Sequence, residues 1–297
     1  MEMQLLRYVV AVARTGNFSR AAEQSHVSQP SLSQQIQKLE DELGERLFDR
    51  MKREARLTSH GEVFLRRAVR ILEEVDAAKR EAADAQDLLR GNLTLGVLPT
   101  IAPYLLPDVM AAFTEKFPGV GIVVQEDTTA RLIKLALEYE IDFALASQPI
   151  HDERLEVREL FTEELLLALP PDHPLARKRT VRWNDLDDER FIVMKEGHCL
   201  GDQVLRFCDR RELRPTIKFR SAQLETIQCL IRAGLGVSLI PAMAAQSKRV
   251  DLPTYRSLSK PSPRRKVLAA WPRQRPLGRA ANEFLKIAAS RPCHDPI

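Results

Sequence analysis

Four cysteines, Cys199, Cys208, Cys229 and Cys293, are the side chains here best suited to change covalent state. They are too few, and lie too late in a chain of 297 residues, to staple a secreted scaffold, so they read as free thiols or as chemistry. Cys199 follows Gly197 and His198 at the start of a predicted helix. Unpaired backbone N–H groups and the helix dipole favour a thiolate there, so a lowered pKa is expected. An inert buried thiol is the alternative for Cys199, and it is the reading for Cys229 and Cys293. His26, His60, His151, His173 and His294 show no ligand spacing, so no metal is expected. Gly234-Leu235-Gly236 lacks the Lys or third Gly of a nucleotide loop, and there is no Gly-x-Ser-x-Gly elbow. No cofactor is expected.

A second kind of chemistry lies near the start of the chain. Ser28 can cap a helix with Pro30 in its first turn, and Leu32, Ile36, Leu39 and Leu43 form its apolar face. Around them stand Gln29, Ser31, Ser33, Gln34, Gln37 and Lys38. Uncharged donors and acceptors of this kind suit base edges and phosphates, although a merely solvated face is the plainer alternative. From Arg46 to Arg56, five basic residues including Arg50 and Arg53 stand against Asp49 and Glu54, which reads as a basic wing. Bulk charge would not suggest DNA: the net charge is +4, and the first 58 residues carry nine basic against eight acidic residues.

The elements that must position these groups fall into three regions. Leu5 to Ala13 is apolar at helical spacing and stops at Gly16, Ser19 is expected to cap a short helix through Gln24, and a turn at Ser25 to Val27 leads into the third helix. Phe64, Ala68, Ile71, Val75, Ala78, Ala82, Ala85 and Leu89 then form a heptad seam. A helix packed on its own domain is one reading of that seam, and a dimer through it is the favoured one. After Gly91 strand and helix signals alternate, giving α/β with parallel pairing, two small subdomains and a cleft between them. An apolar share of 44% and a charged share of 29% exclude collagen-like and disordered classes. No run reaches the roughly 18 apolar residues of a membrane span, and Met1 to Arg14 lacks the features of a signal peptide, so a cytoplasmic protein with no membrane partner is expected.

Several spaced motifs stand in register over the first part of the chain: Gly16-Asn17-Phe18-Ser19-Arg20-Ala21-Ala22, Val27-Ser28-Gln29-Pro30-Ser31-Leu32-Ser33, Leu39-Glu40-Asp41-Glu42-Leu43-Gly44, Leu47-Phe48-Asp49-Arg50 and Leu57-Thr58-Ser59-His60-Gly61. They resemble the DNA-binding segment of LysR-type transcriptional regulators, and the resemblance runs over essentially the whole chain. It implies an N-terminal α-helical winged helix-turn-helix (1–60), a long linker and dimerisation helix (61–90) and a C-terminal α/β two-subdomain domain similar to periplasmic binding proteins (91–297). Subdomain I would comprise 91–161 plus 266–297, and subdomain II 162–265. Glu196-Gly197-His198-Cys199-Leu200-Gly201-Asp202-Gln203 followed by Phe207-Cys208 is similar to the redox segment of the peroxide-sensing OxyR subfamily. Gly96 to Thr100, Pro103 to Pro107, Leu224-Glu225-Thr226 and Pro263-Arg264-Arg265 agree, and Gly201 departs where a bulkier, often basic residue is expected.

This resemblance implies that Cys199 attacks peroxide and Cys208 resolves the product as a disulfide. Nine helical steps separate the two by roughly 13.5 Å, whereas a disulfide needs Cα atoms within about 7 Å. The bond then forms only if the intervening helix unwinds, which makes the two redox forms two packings. By the same resemblance Thr100, Thr129, His198, Asp202 and Arg265 surround Cys199 and polarise the peroxide. Ser28, Gln29, Pro30, Ser31, Ser33, Gln34, Arg50 and Arg53 would face DNA with two-fold symmetric half-sites. The expected partners are that DNA, hydrogen peroxide, further copies of the chain up to a tetramer, and RNA polymerase. The expectation is a regulator and not an enzyme. A regulator answering to a small organic effector in the cleft, with incidental thiols, is one rival, and a thiol peroxidase is another.

Overall fold

A computed structural model describes residues 1–51, 54–83, 91–246 and 252–290, and the chain divides into two compact units, Met1–Leu88 and Leu89–Ile297. In the first, α1 (Met3–Thr15), α2 (Phe18–Gln24) and α3 (Gln29–Leu43) precede a hairpin of β1 (Phe48–Met51) and β2 (Glu54–Leu57), and α4 (Ser59–Ala83) follows. Leu5, Val9 and Val12 of α1 meet Leu32, Ile36 and Leu39 of α3 in one core with Ala21, Ala22 and Phe48. Gly16 closes α1 at φ 62°, a left-handed conformation that glycine adopts without steric cost.

Three expectations need correction in this unit. The cap of α2 is Asn17, whose side chain accepts from the N–H groups of Ser19 and Arg20, because the extended residue lies two positions ahead of Ser19. Leu43 is 40% exposed, since it lies at the end of α3 beyond the core, while Glu40 is buried and accepts from the N–H groups of Leu47 and Phe48 at 2.8 and 3.1 Å. The first part of the heptad seam serves its own unit: Ala68 is fully buried and Phe64 packs on the helical core, so the plainer reading holds there. Ile71 is 38% exposed. The side chains of Ala78 and Ala82, and the whole of Ala85 and Leu89, lie outside the described residues.

The second unit begins with β3 (Gly91–Val97), α5 (Ala102–Lys116), β4 (Val120–Glu126), α6 (Thr129–Leu137), β5 (Phe143–Ser147) and the 15-residue β6 (Leu155–Leu169). Then come β7 (Thr180–Val181), β8 (Arg190–Met194), α7 (Cys199–Asp209), β9 (Thr216–Ser221) and α8 (Leu224–Arg232). The order closes with β10 (Ser238–Pro241), α9 (Ala242–Ala245), β11 (Thr254–Leu258), β12 (Arg264–Pro272) and α10 (Arg279–Ser290). Eight strands form one sheet in the order β4-β3-β5-β12-β6-β11-β7, with β10 also paired to β6, and β8 and β9 form a separate pair.

Pairing is mixed rather than parallel throughout. The pairs β3–β4, β3–β5 and β8–β9 are parallel as their helical crossovers require, but β12 runs antiparallel to both β5 and β6. Two cores result. One gathers Phe113, Phe143 and Phe284, with ring centroids 5.3 and 5.8 Å apart; the other gathers Phe191, Val204, Ile227 and Leu239. Strand β6 contributes Leu155 to the first and Leu165 to the second, so β6 and its partner β12 carry the chain between them. Among the described residues no helix is long and apolar enough to cross a membrane.

Candidate redox site and DNA-binding face

Cys199 is the first residue of α7, behind His198 in extended conformation. Thr129 opens α6, and Thr100 lies just before α5. Each of these helices follows a strand, β8, β4 and β3 respectively, so the site forms where helix starts gather beyond the carboxyl ends of strands. Arg265 reaches it from β12 and is completely buried. Its Nε donates to Glu163 Oε1 at 2.7 Å, and its two terminal nitrogens donate to Thr100 Oγ1 and to the Thr100 carbonyl, both at 3.1 Å. Arg265 and Glu163 are directly opposed in the register of β12 and β6, which fixes the ion pair. Glu163 Oε2 also accepts from the Met243 N–H at 2.9 Å.

The Cys199 thiol corrects the expectation of a lowered pKa. Burial dominates and pushes it above the ordinary value; the charge of Arg265, the Thr129 hydroxyl and the Leu200 N–H pull it down, and the Asp202 carboxylate pushes it up. Arg265 is already shared with Glu163, so the cation facing the thiol is partly neutralised. The Thr129 hydroxyl is buried beside the thiol, on which it acts, and makes no further hydrogen bond. The structure thus brings together Cys199, Thr100, Thr129 and Arg265. His198 is half-buried and Asp202 exposed; among the described residues neither makes a side-chain hydrogen bond to this group, and Asp202 acts on the thiol through its charge alone. Glu163 and Met243 are site residues that no motif announced.

Cys208 sits near the other end of α7, fully buried in the second core, and its thiol is pushed up to about 12 by burial and then by Asp209. Cys199 packs instead on the first core. Continuous helix between them places the two thiols on different cores, their backbone positions roughly 13.5 Å apart along the axis, so this is the dithiol form. Gly201 has a local reason: a Cβ there would stand 2.7 Å from the Met194 carbonyl oxygen, so α7 docks on the end of β8 only without a side chain. Cys229, read as buried, is exposed on α8, because that helix buries Leu224, Ile227, Gln228 and Ile231 on the opposite side. Cys293 lies outside the described residues. No group of three or more potential metal ligands occurs among the described residues.

In the first unit Ser28 caps α3, its side chain accepting from the Ser31 N–H at 3.3 Å. Gln29, Pro30, Ser31 and Gln34 are exposed and Ser33 is half-buried; Pro30, Ser31 and Gln34 turn away from Leu32, Ile36 and Leu39, and Gln29 is exposed at the first turn. Arg50 belongs to β1, but its side chain, like the whole of Arg53, lies outside the described residues. The geometry is a helix with a polar outer face followed by a two-stranded hairpin, which can enter a major groove beside a flanking contact.

Residues 3–62 match the family model described as bacterial regulatory helix-turn-helix protein, lysR family, and residues 86–292 match LysR substrate binding domain. The DNA-binding transcriptional dual regulator OxyR of Escherichia coli (strain K12) is 36% identical over 90% of this chain and 88% of its own length. Full-length OxyR from Pseudomonas aeruginosa, solved as a Cys-to-Asp variant, superimposes with a TM-score of 0.75 at 32% identity, covering 99% of both chains. An OxyR cysteine variant of Corynebacterium glutamicum, solved with hydrogen peroxide bound, gives 0.66 at 30% identity over 97% of this chain and 93% of its own. With DNA-binding and regulatory regions both matched, and a half-buried thiol at the start of α7, the chain belongs to the LysR family of transcriptional regulators and, within it, to the OxyR subfamily.

Proposed function

We propose that the protein regulates transcription in response to hydrogen peroxide, with Cys199 as the attacking thiol and Cys208 as the resolving one. The observation that carries this is the buried Thr129 hydroxyl, unpaired beside Cys199 and within the field of Arg265. A buried polar atom without a partner is costly, and a peroxide oxygen supplies the missing contact. The thiol gives up its proton, the thiolate sulfur attacks one peroxide oxygen, the O–O bond breaks and the departing hydroxide takes a proton to leave as water. Cys199 is then a sulfenic acid, oxidised by two electrons. Donors at Thr129 and Arg265 stabilise the charge on the leaving oxygen. The Cys208 sulfur next attacks the Cys199 sulfur, a second water leaves, and the disulfide remains.

That second step pulls Cys208 from the second core and breaks α7, so redox state becomes conformation. The polar face of α3 then contacts DNA with Gln29, Ser31, Ser33 and Gln34, and α4 pairs two copies of the chain so that two half-sites are read. A tetramer, a contact with RNA polymerase and a cytoplasmic location complete the reading. Peroxide is consumed once per switching event, so the protein acts as a regulator and not as an enzyme. The test is non-reducing peptide mapping before and after a stoichiometric pulse of peroxide. A Cys199–Cys208 disulfide is expected within minutes; two reduced thiols would overturn the proposal.

A further inference from the structure

The redox site holds a second sulfur that neither step of the disulfide chemistry uses. Met243 lies in α9, directly after β10, and is half-buried against the first core, as Cys199 is. Its backbone N–H donates to Glu163 Oε2 at 2.9 Å, and its thioether sulfur accepts from Arg265 Nη2 at 3.8 Å. The Glu163–Arg265 pair thus holds Met243 from both sides, and the same guanidinium exerts its charge on Cys199. The other contacts of Arg265 are to oxygen at 2.7 to 3.1 Å, so the long contact to a weakly accepting sulfur is the one it gives up most easily.

The chemistry of a thioether sets an order between the two sulfurs. It carries a lone pair without losing a proton, so it reacts with peroxide in its resting form, but it is a poorer nucleophile than a thiolate. Cys199 therefore reacts first, and Met243 only when peroxide is in excess. Different reductants then restore them: thiol exchange reopens a disulfide, whereas a sulfoxide needs a methionine sulfoxide reductase.

We propose that Met243 is a second oxidation site, converted to the sulfoxide by excess hydrogen peroxide, and that the new oxygen draws Arg265 from Cys199 and dulls the sensor. The Met243 sulfur attacks one peroxide oxygen and the O–O bond breaks. The proton of the transferred oxygen passes to the departing one, which leaves as water; sulfur is oxidised by two electrons and peroxide reduced by two. The departing oxygen gathers negative charge beside the Thr129 hydroxyl and the Arg265 guanidinium, which stabilise it. In the product a strongly accepting oxygen replaces a weakly accepting sulfur opposite the Arg265 N–H. Sulfoxide formation stands on this geometry; the dulling rests on the peroxide-sensing reading.

The test exposes full-length Cys199→Ser, which cannot form the disulfide, to excess peroxide and follows each methionine by peptide mass spectrometry. Met243 should oxidise about tenfold or more faster than Met110, also half-buried on the first core, and faster than Met3, which is 45% exposed. Adding Thr129→Val should bring its rate toward that of Met110. A rate no greater than that of Met110 or Met3 overturns the site, and a rate indifferent to Thr129→Val overturns the assistance. In the parent protein, treatment with excess peroxide and then dithiothreitol should slow the disulfide formed in a later stoichiometric pulse about tenfold relative to untreated protein. Methionine sulfoxide reductases A and B, applied before that pulse, should restore the rate, and in Met243→Leu treated and untreated protein should react equally fast. No slowing, or a slowing that survives either control, overturns the coupling. If Met243 oxidises preferentially while no disulfide ever forms, the peroxide-sensing reading fails and the dulling with it, and the oxidation site stands.

Discussion

Cys199 is held between burial, which favours the thiol, and Arg265, which favours the thiolate but is shared with Glu163. Removing the carboxylate frees the full guanidinium charge to face the sulfur. Glu163→Gln should therefore shift the pH midpoint of Cys199 alkylation by iodoacetamide downward, and it should also destabilise the fold by about 3–5 kcal/mol, since a buried cation loses its partner. An unchanged midpoint would show that Arg265 does not tune the thiol. Thr129→Val keeps the shape of the site and removes the donor, so peroxide oxidation of Cys199, followed by quenched mass spectrometry, should slow about tenfold or more. Cys199 and Arg265 are legible as residues because each sits in a recognisable local run, whereas Thr129 enters only through the family resemblance. Glu163 is not legible, because its meaning lies in a strand register with a residue about 100 positions away. The direction of the thiol shift is hidden for a related reason: the helix start is visible in the sequence, but the apolar wall that outweighs it is assembled from distant elements.

At the scale of elements, the proposed switch gives α7 two arrangements, and Gly201 decides how well the helical one fits. Gly201→Ala forces a Cβ against backbone at Met194, which cannot move aside as a flexible side chain would. The dithiol form should lose about 1–3 kcal/mol, measured by thermal unfolding under reducing conditions. The disulfide form, with α7 unwound, should lose less, so the variant should oxidise more readily; equal redox behaviour would mean that this contact persists in both forms. Alkaline stability follows from the other end of the helix. Cys208 keeps its proton up to about 12 in the folded state, while an unfolded thiol releases it near 8.5. The folded chain thus binds more protons in that window, and stability present below about pH 8.5 is lost as pH rises toward 12. Cys208→Ala should flatten this limb of the denaturation curve. Helices and parallel strands are readable from their periodicity, as α5, β4 and α8 show. The first half of β6 escapes because Glu156, Arg158 and Glu159 break its apolar pattern, and such a strand is stabilised by its antiparallel partner β12 rather than by its own face.

For the whole molecule the question is how two copies of the chain read two half-sites, and α4 is the last helix of the DNA-binding unit. Its early seam residues, Phe64 and Ala68, are used within that unit, so they are not free to define a dimer. Ile71, 38% exposed one heptad after Phe64, is the first seam position that its own unit leaves uncovered. A branched apolar side chain at such a position is what a second helix would bury, and placing a charge there removes that burial without touching the helical core. Ile71→Glu should shift the full-length protein toward monomer in sedimentation velocity at micromolar concentration. It should also weaken binding to a two-half-site DNA far more than binding to a single half-site, because only the first requires two copies held together. The fold of the DNA-binding unit should be unchanged, as reported by its thermal transition. A variant that remains dimeric would place the contact elsewhere and leave α4 as a spacer.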